Sequence, residues 1–479
     1  MTSRSPLNRL ALTALAAAVV LAGCASSGRA PSSPELNLPA NFKEATPAAG
    51  WVAAQPADSA PRGPWWQRFG DAELDALVAQ VTVSNQNVAA AVARYAAAQA
   101  LVAGERARLL PGLQLSGGAS RSGGGGDTPS RNSFQLGLGA SWEPDLWGRL
   151  RGAVTQAEAN AQASAADLAG ATLSAQALLA TDYFLLREAD AELALLRSSV
   201  AGFERSAQIA QNRYAAGQVA RTDVLQAETQ LANARADLAA LDAQRRQFEH
   251  AIAVLVGRAP ADFTLAPAPW VMQVPAVPPA LPSELLQRRP DIASAERAVA
   301  AANARIGIAR AAYFPSLSLN ASGGSSAARL ADLFSASHLM WSLGLSIAQT
   351  LFDGGALNAA LRNAEASREV TVATYRQTVL SAFQSVEDLL ANRRALHEQL
   401  ALRQQASAAA DLSEQQVLNR YRAGQISYTE VVAAQATALT ARRGLVQLQA
   451  SLQTNAVALI QAMGGDWDAA QLGRVASSG

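Results

Sequence analysis

Apolar residues recur along this chain at two periods, and the switches between them mark its elements. Most of the length has the three-and-four spacing of helices. Asp71 opens a helical pattern through Leu74, Leu77, Val78 and Val81, and a second covers about Gln86 to Leu109 and stops at Pro111. From Gly148 to Arg213 there is no proline, and Gly152, Gly170 and Gly202 are the only interior glycines. A helix of roughly 65 residues spans about 100 Å at about 1.5 Å per residue. The next stretch places Leu231, Ala234, Leu238, Leu241, Arg245, Phe248, Ile252 and Leu255 on one heptad seam with a single polar interruption. A long coiled coil and a plain buried bundle both fit that seam; the uninterrupted length favours the coiled coil.

Two zones break into period two. Leu113, Leu115 and Gly117 alternate with Gln114, Ser116 and Gly118. After the glycines at 123 to 126, Phe134, Leu136, Leu138, Ala140 and Trp142 alternate with Gln135, Gly137, Gly139 and Ser141. Such strands have one apolar face and one small polar face. Aromatic residues at both ends of the second suit the two interfaces of a bilayer, although a soluble hairpin has the same alternation.

The plan then recurs. Gly257 to Pro282 is a Pro-rich crossover, after which Arg288-Arg289-Pro290-Asp291 starts a helix to about Ala312, stopped by Pro315. Strands are expected at Leu317, Leu319 and Ala321 and at Trp341, Leu343, Leu345 and Ile347, followed by a second Pro-free run to Tyr421. The last seam is Ala438, Ala441, Leu445, Leu448, Leu452, Asn455, Leu459 and Ala462. Each half has a glycine break between its long helices: Arg213-Tyr214-Ala215-Ala216-Gly217-Gln218 with Thr222-Asp223, and Arg420-Tyr421-Arg422-Ala423-Gly424-Gln425 with Thr429-Glu430. From Tyr214 to Tyr421 is 207 positions, and the offset holds throughout. Gly followed by a Thr/Asp-rich segment reads as a helix stop and restart, hence as the tip of a hairpin.

Four alternating strands per chain cannot close a barrel, and lipid does not tolerate an open edge. Bacterial barrels have even strand numbers from about eight upward. Two chains would supply eight and three would supply twelve. An eight-stranded barrel fills with its own side chains, so a conduit favours three. The expected fold is therefore mainly α with a small membrane β part. Two structural repeats supply long antiparallel coiled-coil hairpins that form a periplasmic tunnel, and four strands per chain complete a trimeric twelve-stranded outer-membrane barrel. No interior run reaches the roughly 18 apolar residues of a spanning helix.

The N-terminus sets the compartment. Arg4 and Arg9 precede an apolar run from Leu10 to Ala22, ending Leu21-Ala22-Gly23-Cys24. Cys24 is the only cysteine, which excludes an intrachain disulfide. A secretory signal alone would give the positive and apolar regions; the cysteine directly after the small pair resembles a bacterial lipoprotein signal, which implies lipidation of Cys24. Ala25 after it favours the outer membrane by the same resemblance. The expected boundaries are a signal peptide at 1–23, a lipid-anchored tether at 24–64 and a first repeat at 65–260. The crossover at 261–282, the second repeat at 283–465 and a tail at 466–479 follow. Charge is nearly balanced, +1 from 39 basic and 38 acidic residues, and gives no reason to expect nucleic acid. With three histidines, a committed cysteine, no Gly-rich phosphate loop and no Gly-x-Ser-x-Gly, neither an enzyme nor a metal site is expected.

Three stretches carry a family resemblance. They are Arg288-Arg289-Pro290-Asp291-Ile292 with Ala302-Asn303-Ala304-Arg305-Ile306-Gly307 and Tyr313-Phe314-Pro315-Ser316-Leu317; Trp142-Glu143-Pro144-Asp145-Leu146-Trp147-Gly148-Arg149; and Leu351-Phe352-Asp353-Gly354-Gly355. In these the chain resembles the outer-membrane factors of tripartite efflux pumps, the TolC/NodT type of outer-membrane efflux lipoprotein, over nearly all of its mature length. The resemblance implies a homotrimeric exit duct without cofactor beyond the N-terminal lipid. It also implies a periplasmic adaptor (membrane-fusion) protein and an inner-membrane transporter of the RND type as partners. It places adaptor docking at Gly217, Arg221, Thr222 and Asp223 and at Gly424, Ser427 and Glu430, and a periplasmic gate at Tyr421, Arg422 and Glu430. Ile426 and Ala433 replace an arginine and an aspartate of the TolC gate, so that charge lock does not transfer whole. A duct for type I protein secretion and a non-porous lipoprotein spacer are the competing readings.

Overall fold

The computed structural model describes residues 42–45, 64–124, 130–276 and 288–467. Cys24, the signal peptide, most of the tether and the C-terminal tail lie outside them. The helices are α1 (Ala72–Ser84), α2 (Gln86–Ala107), α3 (Arg149–Ala215), α4 (Arg221–Leu255), α5 (Pro290–Ala311), α6 (Ala356–Arg422) and α7 (Tyr428–Ala462). The strands are β1 (Gly112–Ser122), β2 (Arg131–Trp142), β3 (Ser316–Ala327) and β4 (Leu339–Ala348). Both long hairpins have the same lengths, 67 and 35 residues. No helix among the described residues is long and apolar enough to cross a membrane.

One compact unit contains Tyr95–Ser164 and Ser294–Arg376. It holds a single antiparallel sheet in the order β1-β2-β3-β4, so the inner pairing joins strands from the two halves of the chain. Its register sorts the large apolar strand residues, Met340 excepted, onto one face. Leu115 faces Leu138, Ala140 faces Ala321, Leu319 faces Leu345 and Leu317 faces Ile347. The opposite face is mostly Ser, Gly, Gln and Asn, and the Ser322 and Ser342 hydroxyls meet there at 2.8 Å. The glycines are not interchangeable: a Cβ at Gly324 would sit 2.7 Å from the Leu136 carbonyl oxygen. Below the sheet, Trp147 donates to the Pro315 carbonyl at 2.6 Å and stacks on Phe314 at 4.9 Å. Asp145 accepts from the Leu150 and Arg151 amides to cap α3, and Asp353 accepts from the Gly355 and Leu357 amides to cap α6. Two of the motifs that carried the resemblance thus open the two long helices.

The other unit contains Asn37–Arg94, Ala165–Ala293 and Gln377–Gly479. Asp71 caps α1 as its position suggested, accepting from the Glu73 and Leu74 amides. A core of Trp65, Phe69, Leu74, Val78, Tyr183, Phe184, Ile252 and Leu459 joins α1 to both hairpins. Arg245, the polar interruption in the heptad seam, is buried and donates to Asp190 at 2.6 Å and to the Leu265 carbonyl. Arg187 pairs with Asp190 at 2.7 Å and with Glu73. The buried Arg187, Asp190 and Arg245 are thus paired with one another or with Glu73, the condition under which a core tolerates charge, although the Arg187 Nε finds no partner among the described residues. Gly257 and Gly464 end the two hairpins at φ +70 and +88; a Cβ there would strike the Ser84 and Arg288 carbonyls. Arg289 donates to the Ala462 carbonyl at 2.8 Å, so the Arg288–Asp291 motif sits where the last helix stops.

Within residues 24–64, whose composition marks an extended tether, Phe42–Ala45 pack onto α6. Phe42 is buried edge-on to Phe383, and Glu387 accepts from the Lys43 and Glu44 amides. Arg394 donates to the Glu44 carboxylate and carbonyl, both at 3.1 Å.

Candidate functional site

The two tips lie in the second unit and share one backbone device. At the end of α3 the Gly217 amide donates to the Tyr214 carbonyl and the Gln218 amide to the Arg213 carbonyl, both at 2.8 Å. At the end of α6 Gly424 donates to Tyr421 and Gln425 to Arg420, at 2.9 and 3.0 Å. This pair of bonds needs a left-handed residue, and the two glycines supply it at φ +70 and +73. Ala220 and Ser427 are extended and restart the chain as α4 and α7. Glu430 reaches back to the Ser427 amide at 3.4 Å, one half of a capping box.

Packing then separates the tips. Ala210, Val224, Ala227, Tyr421, Tyr428 and Val431 form a buried cluster that joins them. The Tyr421 and Tyr428 rings meet edge-on at 5.4 Å. Arg213 reaches across from the first hairpin. Its guanidinium lies 4.9 Å over the Tyr421 ring and donates to the Tyr421 carbonyl at 3.1 Å. Burial pushes the Tyr428 hydroxyl up to about 12, with Tyr421 and Asp223 adding to the shift. Ser206 lies beside that hydroxyl without reaching hydrogen-bond geometry.

Of the expected docking residues, Gly217, Arg221, Thr222, Gly424, Ser427 and Glu430 are exposed and Asp223 is half-buried. Among the gate candidates Arg422 and Glu430 are exposed, whereas Tyr421 is only 4% exposed and belongs to the seam. Sequence reasoning missed Arg213 and Tyr428, which make the contacts around Tyr421. The available signal was a heptad: Tyr421, Tyr428 and Gln435 are seven apart and all buried, whereas their counterparts Tyr214, Arg221 and Glu228 are all exposed.

A four-stranded sheet with one apolar face, on one chain with two very long hairpins, fits an outer-membrane channel, and the comparisons agree. Residues 77–258 and 281–465 match the model of the outer membrane efflux protein family, and the chain belongs to that family. It is 33% identical to the pyoverdine export outer membrane protein OpmQ of Pseudomonas aeruginosa, over 96% of this chain and 98% of that one. It is 28% identical to a Salmonella typhimurium protein named "Probable outer membrane lipoprotein SilC", over 96% and 99%. The solved outer-membrane channel OprN superimposes with a TM-score of 0.80 at 31% identity, covering 91% of this chain and 99% of that one. The protein is thus an outer-membrane efflux channel and not an enzyme.

Proposed function

We propose that three copies of this chain close a twelve-stranded barrel in the outer membrane, continued by a periplasmic tunnel of long helices built from two structural repeats. The duct conducts small molecules outward and is held additionally by a lipid on Cys24. The observation that carries this reading is the sheet. Its strands of 11, 12, 12 and 10 residues suit the roughly 9–11 of a tilted membrane strand. One face carries the large apolar strand residues, Met340 excepted, and β1 and β4 are left as edges. Lipid forbids those edges, so other copies must pair with them. Small-molecule cargo is supported by the name of OpmQ, a pyoverdine exporter; the lipid anchor is supported by the name of SilC.

The tips dock onto a periplasmic adaptor linked to an RND-type transporter. Gly217, Arg221, Thr222 and Asp223 provide the first docking surface, and Gly424, Ser427 and Glu430 the second. Arg422 and Glu430, exposed beside the Tyr421 seam, are the gate candidates. The test removes the lipid: a Cys24→Ala chain exported through a secretory signal without a lipidation site should remain in the outer-membrane fraction through salt and carbonate washes. Its release as soluble protein would overturn the barrel.

A further inference from the structure

Within the second unit, beside the second tip, α3, α6 and α7 enclose a cavity of about 260 Å3 that the seam does not fill. Two of its lining side chains, Tyr421 and Gln435, are each 4% exposed, and both leave a buried polar atom, the Tyr421 hydroxyl and Gln435 Oε1, without a partner. An unmatched buried polar atom costs about 1–3 kcal/mol, so two on one cavity call for something to bond them. The charge around it is one-sided. Arg442 is neutralised by Asp411 at 2.6 Å and Glu414 at 2.7 Å. Arg205 on α3 and Arg422 at the end of α6 are exposed at the cavity and pair with nothing among the described residues.

We infer that this cavity binds a small oxyanion that also carries a hydroxyl, such as a hydrogen phosphate, an organic phosphate or a hydroxy acid. The unpaired guanidiniums supply the charge-assisted donors that such anions select. The Tyr421 hydroxyl donates to a ligand oxygen, and Gln435 Oε1, which can only accept, takes the ligand O–H. The volume admits more than a bare phosphate. Because Arg205 and Arg422 come from different hairpins, the bound anion ties the first hairpin to the second beside the gate candidates.

Inorganic phosphate and sulfate separate the two halves of this assignment, since at pH 7 phosphate retains an O–H and sulfate does not. Titration calorimetry of the full detergent-extracted protein at constant ionic strength should show one saturable phosphate site per chain. Sulfate should bind at least about tenfold more weakly, the loss of one well-formed hydrogen bond. The Arg205→Gln/Arg422→Gln variant, whose exposed unpaired side chains leave folding unchanged by circular dichroism, should lose phosphate binding about 100-fold. No saturable phosphate binding, or equal binding by the variant, would overturn the site. Sulfate binding as tightly as phosphate would overturn the hydroxyl-bearing class. The readout is independent of conduction, so it stands or falls separately from the duct.

Discussion

The first and second tips share their turn but not their surroundings. At corresponding positions Tyr214 is 41% exposed and Tyr421 4%, and Arg221 is exposed where Tyr428 is fully buried. Arg213 bridges to the other hairpin, whereas its counterpart Arg420 is exposed with no partner among the described residues. Two similar sequences therefore pack in two different ways within one chain. The second tip is the packed one, and its aromatic pair accounts for a core at the end of very long helices. The first keeps its equivalent face polar and open. The contacts that join the two tips centre on Tyr421, Tyr428 and Arg213.

The contrast breaks most sharply at Tyr428. Tyr428→Ala should destabilise the tips by about 3–5 kcal/mol, as for other buried aromatic truncations. Arg221→Ala at the matching position should stay within about 0.5 kcal/mol. Amide exchange at the ends of α6 and α7 measures both; equal effects would erase the difference between the tips. The same residue predicts a pH response. A tyrosine hydroxyl ordinarily ionises near pH 10, and Tyr428 does so near 12. Below pH 10 both folded and unfolded forms keep the proton. Between about 10 and 12 the unfolded chain loses it first, so tip stability falls as pH rises through that window. Tyr428→Phe should remove its share of the fall.

Smaller effects sharpen the comparison. Arg213→Ala removes a cation–π contact and a hydrogen bond to a carbonyl, worth about 1–2 kcal/mol together, while Arg420→Ala should cost almost nothing. Unequal exchange rates at Tyr421 in the two variants check this. Gly217→Ala and Gly424→Ala should each cost about 1–2 kcal/mol because both require the left-handed conformation. Here the tips should agree, and a marked inequality would mean that their shared turn does not govern their stability.

Much of this was legible from pattern alone. Proline-free length and glycine breaks gave both hairpins, because φ > 0 at a helix end selects glycine. Period-two alternation gave all four strands but shortened β3, whose last half, Gly323 to Ala327, carries no large apolar residue and is held by pairing with β2. That pairing joins residues far apart in the chain, as Trp142 with Leu319, and no local signal encodes it. Arg245 read as a flaw in a seam because its partners Asp190 and Leu265 come from other segments. The Arg213–Tyr421 bridge was hidden for the same reason, and Phe42 was obscured by the Pro- and Ser-rich residues around it. At the tips the turns were readable, whereas which tip would be buried was not, since burial depends on how the hairpins pack.

The central claim is that the open-edged sheet is one third of a closed barrel. The most direct measurement is the mass of the detergent-extracted particle by native mass spectrometry. Three chains per particle are predicted. A stable monomer or dimer that remained folded in detergent would contradict the account.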